Sequence, residues 1–320
     1  MGIGTEAHAD PFAAQAAVAR ARMVRGIRAG GGLTDPAWRR AFEDVPRHLF
    51  VPYYYVGGLG GYERLWREDP DPARRAQWLE GAYSDGPLAT RVRDGELISS
   101  SSQPSLMAWM LQDLEVEDGH RVLEIGAGTG YNAALLCHRL GDALVTTVDL
   151  YPEITEAARN HLDRAGHHPA VVTGDGARGC PSRAPYDRVI ATCKLNRVPQ
   201  AWLDQCAPGA VVLAPLATGL IRLRVTTPGE GSGRFLPTPA FFVPLRGGEE
   251  EPEIDTRDLP RRALRSDAFR FLLALTAGTL TPRAAYDVWE SAGHPERERF
   301  GLTVRGDGQR VWLDTPEAEL

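Results

Sequence analysis

The residues best suited to chemistry lie in Glu124-Ile125-Gly126-Ala127-Gly128-Thr129-Gly130 and in two later acids, Asp149 and Asp175. Three alternating glycines leave the backbone bare, so a ligand can approach it closely. The apolar run Val122 to Ile125 precedes them, and the helix-forming run Asn132 to Leu140 follows. That order predicts a buried strand, a tight turn and a helix start whose unpaired N–H groups suit a nucleotide-like guest. Spacing narrows the guest. A dinucleotide fingerprint needs a glycine three positions beyond its second, and that position here is Tyr131. No Gly-x-x-x-x-Gly-Lys-Ser/Thr stretch occurs, so a P-loop is excluded. Upstream, Ser99, Ser100, Ser101 and Ser102 lead into Gln103-Pro104. Proline suits a first helical turn and serine suits a cap, while four serines together also suit a substrate loop.

The flanking elements must position these groups. Ala143 to Asp149 reads as a second strand, Ala170 to Thr173 as a third, Tyr186 to Thr192 as a fourth and Ala210 to Pro215 as a fifth. Helical stretches at Ile154 to Arg164 and Val198 to Cys206 separate them, which predicts an α/β parallel sheet with helices on both faces. Ile221 to Thr227 and Phe235 to Leu245 read as a terminal hairpin across Gly229, Gly231 and Gly233. Upstream lie helices over 11–29 and about 35–43, then a helix from Pro104 to Leu114. Residues 53–81 form a glycine-hinged aromatic insertion, suited to a lid or a peptide-binding flap. Residues 247–260 read as an acidic linker to a C-terminal α+β extension. That extension should hold helices near 267–277 and 282–291 and a hairpin of 300–304 with 309–313 across Gly306-Asp307-Gly308. The expected division is a catalytic domain over 1–247 and an extension over 248–320 acting in peptide recognition.

Composition excludes several function classes. The chain is 43% hydrophobic and 24% charged, with net charge −6 and a pI near 5.8, so no basic footprint for nucleic acid is present. No apolar run reaches the length of a bilayer span and no signal-peptide core opens the chain, so a cytoplasmic protein is expected. Cys137, Cys180, Cys193 and Cys206 form no CxxC pair, and the expectation is reduced thiols and no metal. Lys194 is the sole lysine among 36 basic residues, which reflects compositional bias rather than selection for guanidinium.

An acid-Gly-Gly-Gly loop on strand one, Asp149 ending strand two and Gly174-Asp175-Gly176 ending strand three resemble the class I S-adenosylmethionine-dependent methyltransferases. That resemblance implies a Rossmann-like sheet. It also implies that Gly126, Gly128, Gly130 and Gly176 face S-adenosylmethionine, that Glu124 meets its amine, Asp149 its ribose and Asp175 its adenine. The flanks are more specific. Val45-Pro46-Arg47 through Phe50-Val51-Pro52, Ala82 to Leu88, Ser102-Gln103-Pro104, Ala184-Pro185-Tyr186-Asp187 and Phe242-Val243-Pro244-Leu245 resemble, in order and spacing, the protein-L-isoaspartate O-methyltransferases. The resemblance puts Ser102 in the place of the family's catalytic serine, with Ser101 as the alternative register. Ser99, Ser100, Gln103 and Tyr83 are then expected beside a peptide or protein carboxylate substrate. No base is required, because a carboxylate of pKa about 4 is already a nucleophile at neutral pH. The insertion, the long serine run and the extension depart from the repair enzymes. They resemble the divergent members that methylate an aspartate in a ribosomally made modified peptide, leading to aspartimide and isoaspartate. Two other readings stand beside it: general isoaspartyl repair, and a peptide-binding module that has lost turnover.

Overall fold

A computed structural model describes residues 10–58, 61–247, 254–306 and 308–320. In chain order the elements are α1 (Ala13–Ala29), α2 (Pro36–Asp44), β1 (Tyr53–Gly58), β2 (Gly61–Trp66), α3 (Pro72–Ala82), β3 (Leu88–Arg93), β4 (Glu96–Ser101) and α4 (Pro104–Asp113). The central unit follows with β5 (Val122–Ile125), α5 (Tyr131–Leu140), β6 (Val145–Asp149), α6 (Pro152–Arg164), β7 (Ala170–Thr173), β8 (Tyr186–Ala191), α7 (Gln200–Asp204) and β9 (Cys206–Leu216). The chain closes with β10 (Gly219–Thr227), β11 (Glu230–Pro239), α8 (Arg261–Leu264), α9 (Asp267–Leu275), α10 (Pro282–Ser291), β12 (Phe300–Arg305) and β13 (Gly308–Leu313).

Among the described residues the larger sheet has nine strands in the order β13-β12-β11-β10-β9-β8-β5-β6-β7. The run from β9 to β7 is parallel and the remainder antiparallel. This is the expected α/β class I architecture. The chain leaves β5 toward β6 and β7, then returns to β8 on the other side of β5. The loop after β5 therefore lies at a topological switch point, where open parallel sheets hold their ligands. Alternate strand residues feed opposite cores. Val122, Val145, Ile190 and Leu213 face the layer built by α1 to α5. Leu123, Val148, Val189 and Val212 face α7, α9 and α10.

Several expectations shift. Within the insertion, β1 (Tyr53–Gly58) and β2 (Gly61–Trp66) pair antiparallel, and β1 joins β3 through Tyr55 opposite Ala89. A four-stranded sheet β2-β1-β3-β4 results, and its last strand carries Ser99 to Ser101. The serines therefore do not cap α4. The residue before Pro104 is Gln103, whose side chain makes no capping bond, and Asp85 Oδ1 accepts from Ser105 N instead at 2.9 Å. The hairpin expected to resume at Phe235 resumes at Glu230, because the turn is the tight Pro228-Gly229 pair with Gly229 at φ +85°. Asp142 to Leu144 form a 3₁₀ turn ahead of β6. In the expected linker of 247–260, residues 248–253 lie outside the described residues, and α8 follows directly at Arg261–Leu264. Asp307 of the last turn also lies outside them. The hairpin β12–β13 continues the large sheet, pairing Gly231 to Arg234 with Gly301 to Val304. No helix among the described residues is long and apolar enough to cross a membrane.

Candidate active site

A cleft with an empty volume of roughly 870 Å³, partly open to solvent, lies at the C-terminal ends of β5, β6 and β8. Its floor is the glycine loop. Gly126 has φ +98°, and a Cβ there would meet Thr192 Oγ1 at 2.6 Å, so both conformation and space require glycine. Gly128, at φ +51°, packs so close to β4 that a Cβ would stand 3.3 Å from the Ser100 carbonyl oxygen. Gly130, also left-handed, is the residue before α5. The loop is tied to β6 by Gly126 N and Ala127 N, which donate to Val148 O at 2.8 and 3.2 Å.

Two acids border this floor. Asp149 ends β6, and its Oδ2 accepts from Gly128 N at 3.1 Å. Burial raises its pKa, against several backbone N–H donors that lower it. Glu124 is fully buried in β5. Its oxygens accept from Asn132 Nδ2 at 2.7 Å and from Thr147 Oγ1 at 2.6 Å. Burial pushes its carboxyl up to about 7, and among the described residues it makes no ion pair. Asn132 Oδ1 and the Tyr131 hydroxyl are buried at the same cleft with no partner among the described residues.

The facing wall is the serine strand. Ser99, Ser100, Ser101 and Ser102 all line the cleft. Ser101 is buried, and its Oγ accepts from Arg47 Nη2 at 3.2 Å. Ser102 is half-buried. Arg246 closes one rim by donating to Leu97 O at 2.9 Å, with Glu96 at 3.6 Å.

Four expected site residues stand apart from the cleft wall, one being Gly130, which packs against Ala158 and Leu162 of α6. Tyr83 is buried, and its hydroxyl is bonded to His48 Nδ1 at 2.7 Å, with Asp10 at 2.7 Å on the other ring nitrogen. The Gln103 side chain turns to Ser105 Oγ at 2.9 Å. Asp175 caps a 3₁₀ turn through Ala177 N at 2.9 Å, while its neighbour Gly176 does line the cleft. Asn132, Tyr131, Thr192 and Cys193 are wall residues that sequence reasoning did not single out. Asn132 was findable, since it lies in the first turn of the helix that follows the glycine loop.

The family of proteins described as Protein-L-isoaspartate(D-aspartate) O-methyltransferase (PCMT) matches residues 73–249. The protein-L-isoaspartate O-methyltransferase of Hyperthermus butylicus is 33% identical over 254 residues, covering 74% of this chain and 93% of its own. The chain belongs to this family. The protein-L-isoaspartate O-methyltransferase of Azorhizobium caulinodans is 37% identical over 198 residues, covering 62% of this chain and 77% of its own. Among solved structures, a protein-L-isoaspartate O-methyltransferase has TM-score 0.65 at 24% identity, covering 92% of this chain and 100% of that one. A Plasmodium falciparum structure titled as a putative member of the family, in complex with S-adenosyl-L-homocysteine, has TM-score 0.53 at 13% identity, covering 71% of this chain and 98% of that one. Those two show the fold.

As a member of the protein-L-isoaspartate O-methyltransferase family the chain is an S-adenosylmethionine-dependent enzyme, and its cleft fits that cofactor. Glu124, with no cationic partner among the described residues, and Asn132 Oδ1, likewise unpartnered among them, suit an ammonium group. Asp149 beside bare backbone suits ribose hydroxyls. Away from the cleft, Cys137, Asp142 and His167 bring ligand-type atoms within 4.8 Å of one another, a grouping the sequence spacing hid. His167 bonds to Asp142 at 3.3 Å, and burial pushes the Cys137 thiol up, which keeps the proton on sulfur. The three groups therefore serve one another as hydrogen-bond partners. They sit where β6 and β7 begin, at the opposite end of the sheet from the cleft.

Proposed function

We propose that the protein esterifies an aspartyl-type carboxylate in a peptide, with Ser102 as the residue that orients the acceptor. When bound, the cofactor supplies a methyl group on a cationic sulfur. The acceptor oxygen forms the new O–CH₃ bond as the C–S bond breaks and its electron pair stays on sulfur, so no proton moves. The protein's task is alignment and exclusion of water. The observation that carries this reading is the serine strand lying directly across the glycine loop, with Gly128 packed on Ser100. Neutral hydroxyls there orient a carboxylate without pairing it as strongly as a cation would.

For the finer substrate, we favour a defined aspartate in a ribosomally made modified peptide. The insertion supports this, because β1 and β2 extend the very sheet that ends in the serine strand. After methylation, the following backbone nitrogen attacks the ester carbonyl and loses its proton as methoxide departs. The products are methanol and an aspartimide, which opens to isoaspartate with water. General isoaspartyl repair is the second reading, favoured by relatives of that name matched along 93% of their length. The extension does not separate the two readings, since the solved family structure covers 92% of this chain. Mass spectrometry with S-adenosylmethionine decides between them. A methyl gain followed by loss of methanol on a genome-neighbouring modified peptide alone supports the first reading. Methylation of a short isoaspartyl peptide alone would overturn it.

A further inference from the structure

Beneath the serine wall lies a charge that nothing so far has used. Arg47 is fully buried, yet among the described residues it forms no ion pair. Its Nη1 donates to Ala82 O at 2.8 Å and Ser84 O at 3.3 Å. Its Nη2 reaches Ser102 O at 3.1 Å, Ser101 Oγ at 3.2 Å and Ser101 O at 3.5 Å. Its hydrogen-bond partners among the described residues are all neutral oxygens; the Tyr131 ring lies 5.9 Å away, and Asp85 acts on it only at a distance, without an ion pair. Isolated buried charges are costly, so a guanidinium kept without a carboxylate calls for an anion elsewhere. Burial lowers its pKa only to about 10, which leaves it charged at neutral pH.

The geometry of its contacts shows where that anion belongs. In a trans peptide the carbonyl and the following N–H point in opposite directions. Drawing Ser101 O and Ser102 O back toward Arg47 therefore turns the N–H groups of Ser102 and Gln103 away from it. Neither N–H has an acceptor among the described residues. Ser101 and Ser102 both line the cleft, so these peptide units stand at its wall. A hydrogen bond to a carbonyl also polarises the N–H of the same peptide unit.

We infer that Arg47 is a positioning and specificity residue: acting through the Ser101–Ser102 and Ser102–Gln103 peptide units, it makes the acceptor pocket select a carboxylate over a neutral amide. This inference rests on the carboxyl-methyltransferase reading above. The positive charge stays one peptide unit away from the nucleophile. It therefore attracts the carboxylate and keeps it ionised without forming the direct ion pair that would blunt its attack. The same guanidinium gathers three segments that are distant in sequence, namely Pro46-Arg47, Ala82 to Ser84 and Ser101-Ser102.

The test uses the full-length protein saturated with S-adenosylhomocysteine and two peptides that differ in one group, an isoaspartyl peptide and its isoasparaginyl amide counterpart. Wild type should prefer the acid by about tenfold or more, as expected when a charged acceptor is lost. Arg47→Gln should bring the two affinities within about threefold while cofactor-product affinity changes by less than about twofold. Arg47→Lys keeps the charge but not the planar fork, so it should retain the preference and lose about tenfold or more in kcat. A Gln variant that keeps the wild-type preference overturns the inference, as does one that weakens both peptides equally. Should Arg47→Gln fail to fold by circular dichroism, the Lys variant decides, and wild-type kcat there would overturn the assignment. If wild type binds neither peptide, general isoaspartyl repair fails while the modified-peptide reading stands. Acetate and acetamide then replace the peptides, followed by the amide signals of Ser102 and Gln103. Acetate-specific shifts that vanish in Arg47→Gln support the role of Arg47, and equal shifts in both proteins overturn it.

Discussion

Ser102 and Glu124 both line the cleft, and on the proposed roles their substitutions should separate acceptor binding from cofactor binding. Ser102→Ala removes one acceptor-side hydroxyl, so turnover should fall about ten- to hundredfold while cofactor affinity, read by calorimetry, stays within about twofold. A loss of cofactor binding instead would make the serine merely structural. Asp149→Ala should do the reverse and weaken cofactor binding by tenfold or more, because its Oδ2 also holds Gly128 N. Glu124 gives a pH signature. Its folded pKa, about 7, lies above the ordinary carboxylate value. The cofactor-free protein therefore has the full stability contribution of the neutral acid below about pH 4.5 and loses it as pH rises through 7. An ammonium beside Glu124 favours the ionised form, so cofactor binding between pH 5.5 and 7 should release a proton and tighten as pH rises. Calorimetry in buffers of different ionisation enthalpy reads this, and Glu124→Gln should abolish the release. The places of Glu124 and Asp149 at the cleft were legible because each ends or lies within an apolar run beside glycines. Arg47 was not legible, since its partners lie 35 to 55 residues away along the chain.

The insertion shows how tertiary pairing decides what local sequence leaves open. Tyr53-Tyr54-Tyr55 and the flanking glycines suggested a hinged flap, because glycine-rich runs carry weak strand signals. In the folded chain Tyr54 turns inward while Tyr55 pairs with Ala89, so the insertion is built as sheet. The serine run misled in the same way. Serine suits caps locally, and only pairing with Leu88 to Arg93 makes it a strand. The helix α3 then locks the insertion down. Trp78 is fully buried, donates to Val51 O at 2.9 Å and meets the Phe12 ring edge-on at 5.2 Å. The Tyr54 hydroxyl lies over Gly81, where a Cβ would stand only 1.9 Å from it. Gly81→Ala should therefore displace Tyr54 and cost on the order of 1–3 kcal/mol, the usual penalty of overpacking. Thermal denaturation measures it. Pairing Gly81→Ala with Tyr54→Phe, which shortens the clashing group, should recover part of the loss. Equal Tm for wild type and Gly81→Ala would show that the contact is loose.

At the scale of the whole molecule, the question is whether residues after 247 form a removable attachment. The helices and hairpin of this region were legible from periodicity and turn residues, but their partner was not, because strand pairing across 70 residues leaves no local trace. In the folded chain β12 pairs with β11, and α9 and α10 cover one face of the large sheet. Phe271 contacts the Phe235 ring at 4.8 Å and the Phe300 ring at 5.7 Å, and its edge lies where a Cβ on Gly219 would stand, 2.9 Å away. Phe269, Phe271, Leu272, Phe300 and Leu302 are each fully buried. Each such side chain contributes about 1.5–3 kcal/mol through burial, so removing the set exceeds the stability margin of an ordinary domain, roughly 5–15 kcal/mol. Truncation would also leave β11 as a long unpaired edge beside an exposed apolar face, which favours association with other chains. A chain ending at Gly247 should therefore aggregate or bind apolar dyes, rather than behave as a folded enzyme with weaker peptide affinity. Size-exclusion chromatography and near-ultraviolet circular dichroism distinguish these outcomes. A monomeric, cooperatively folded fragment that still binds S-adenosylhomocysteine would mean that the second face of the sheet is stable without α9 and α10. Any part the extension plays in recognising the peptide must accordingly be tested by surface substitutions that leave this shared core intact.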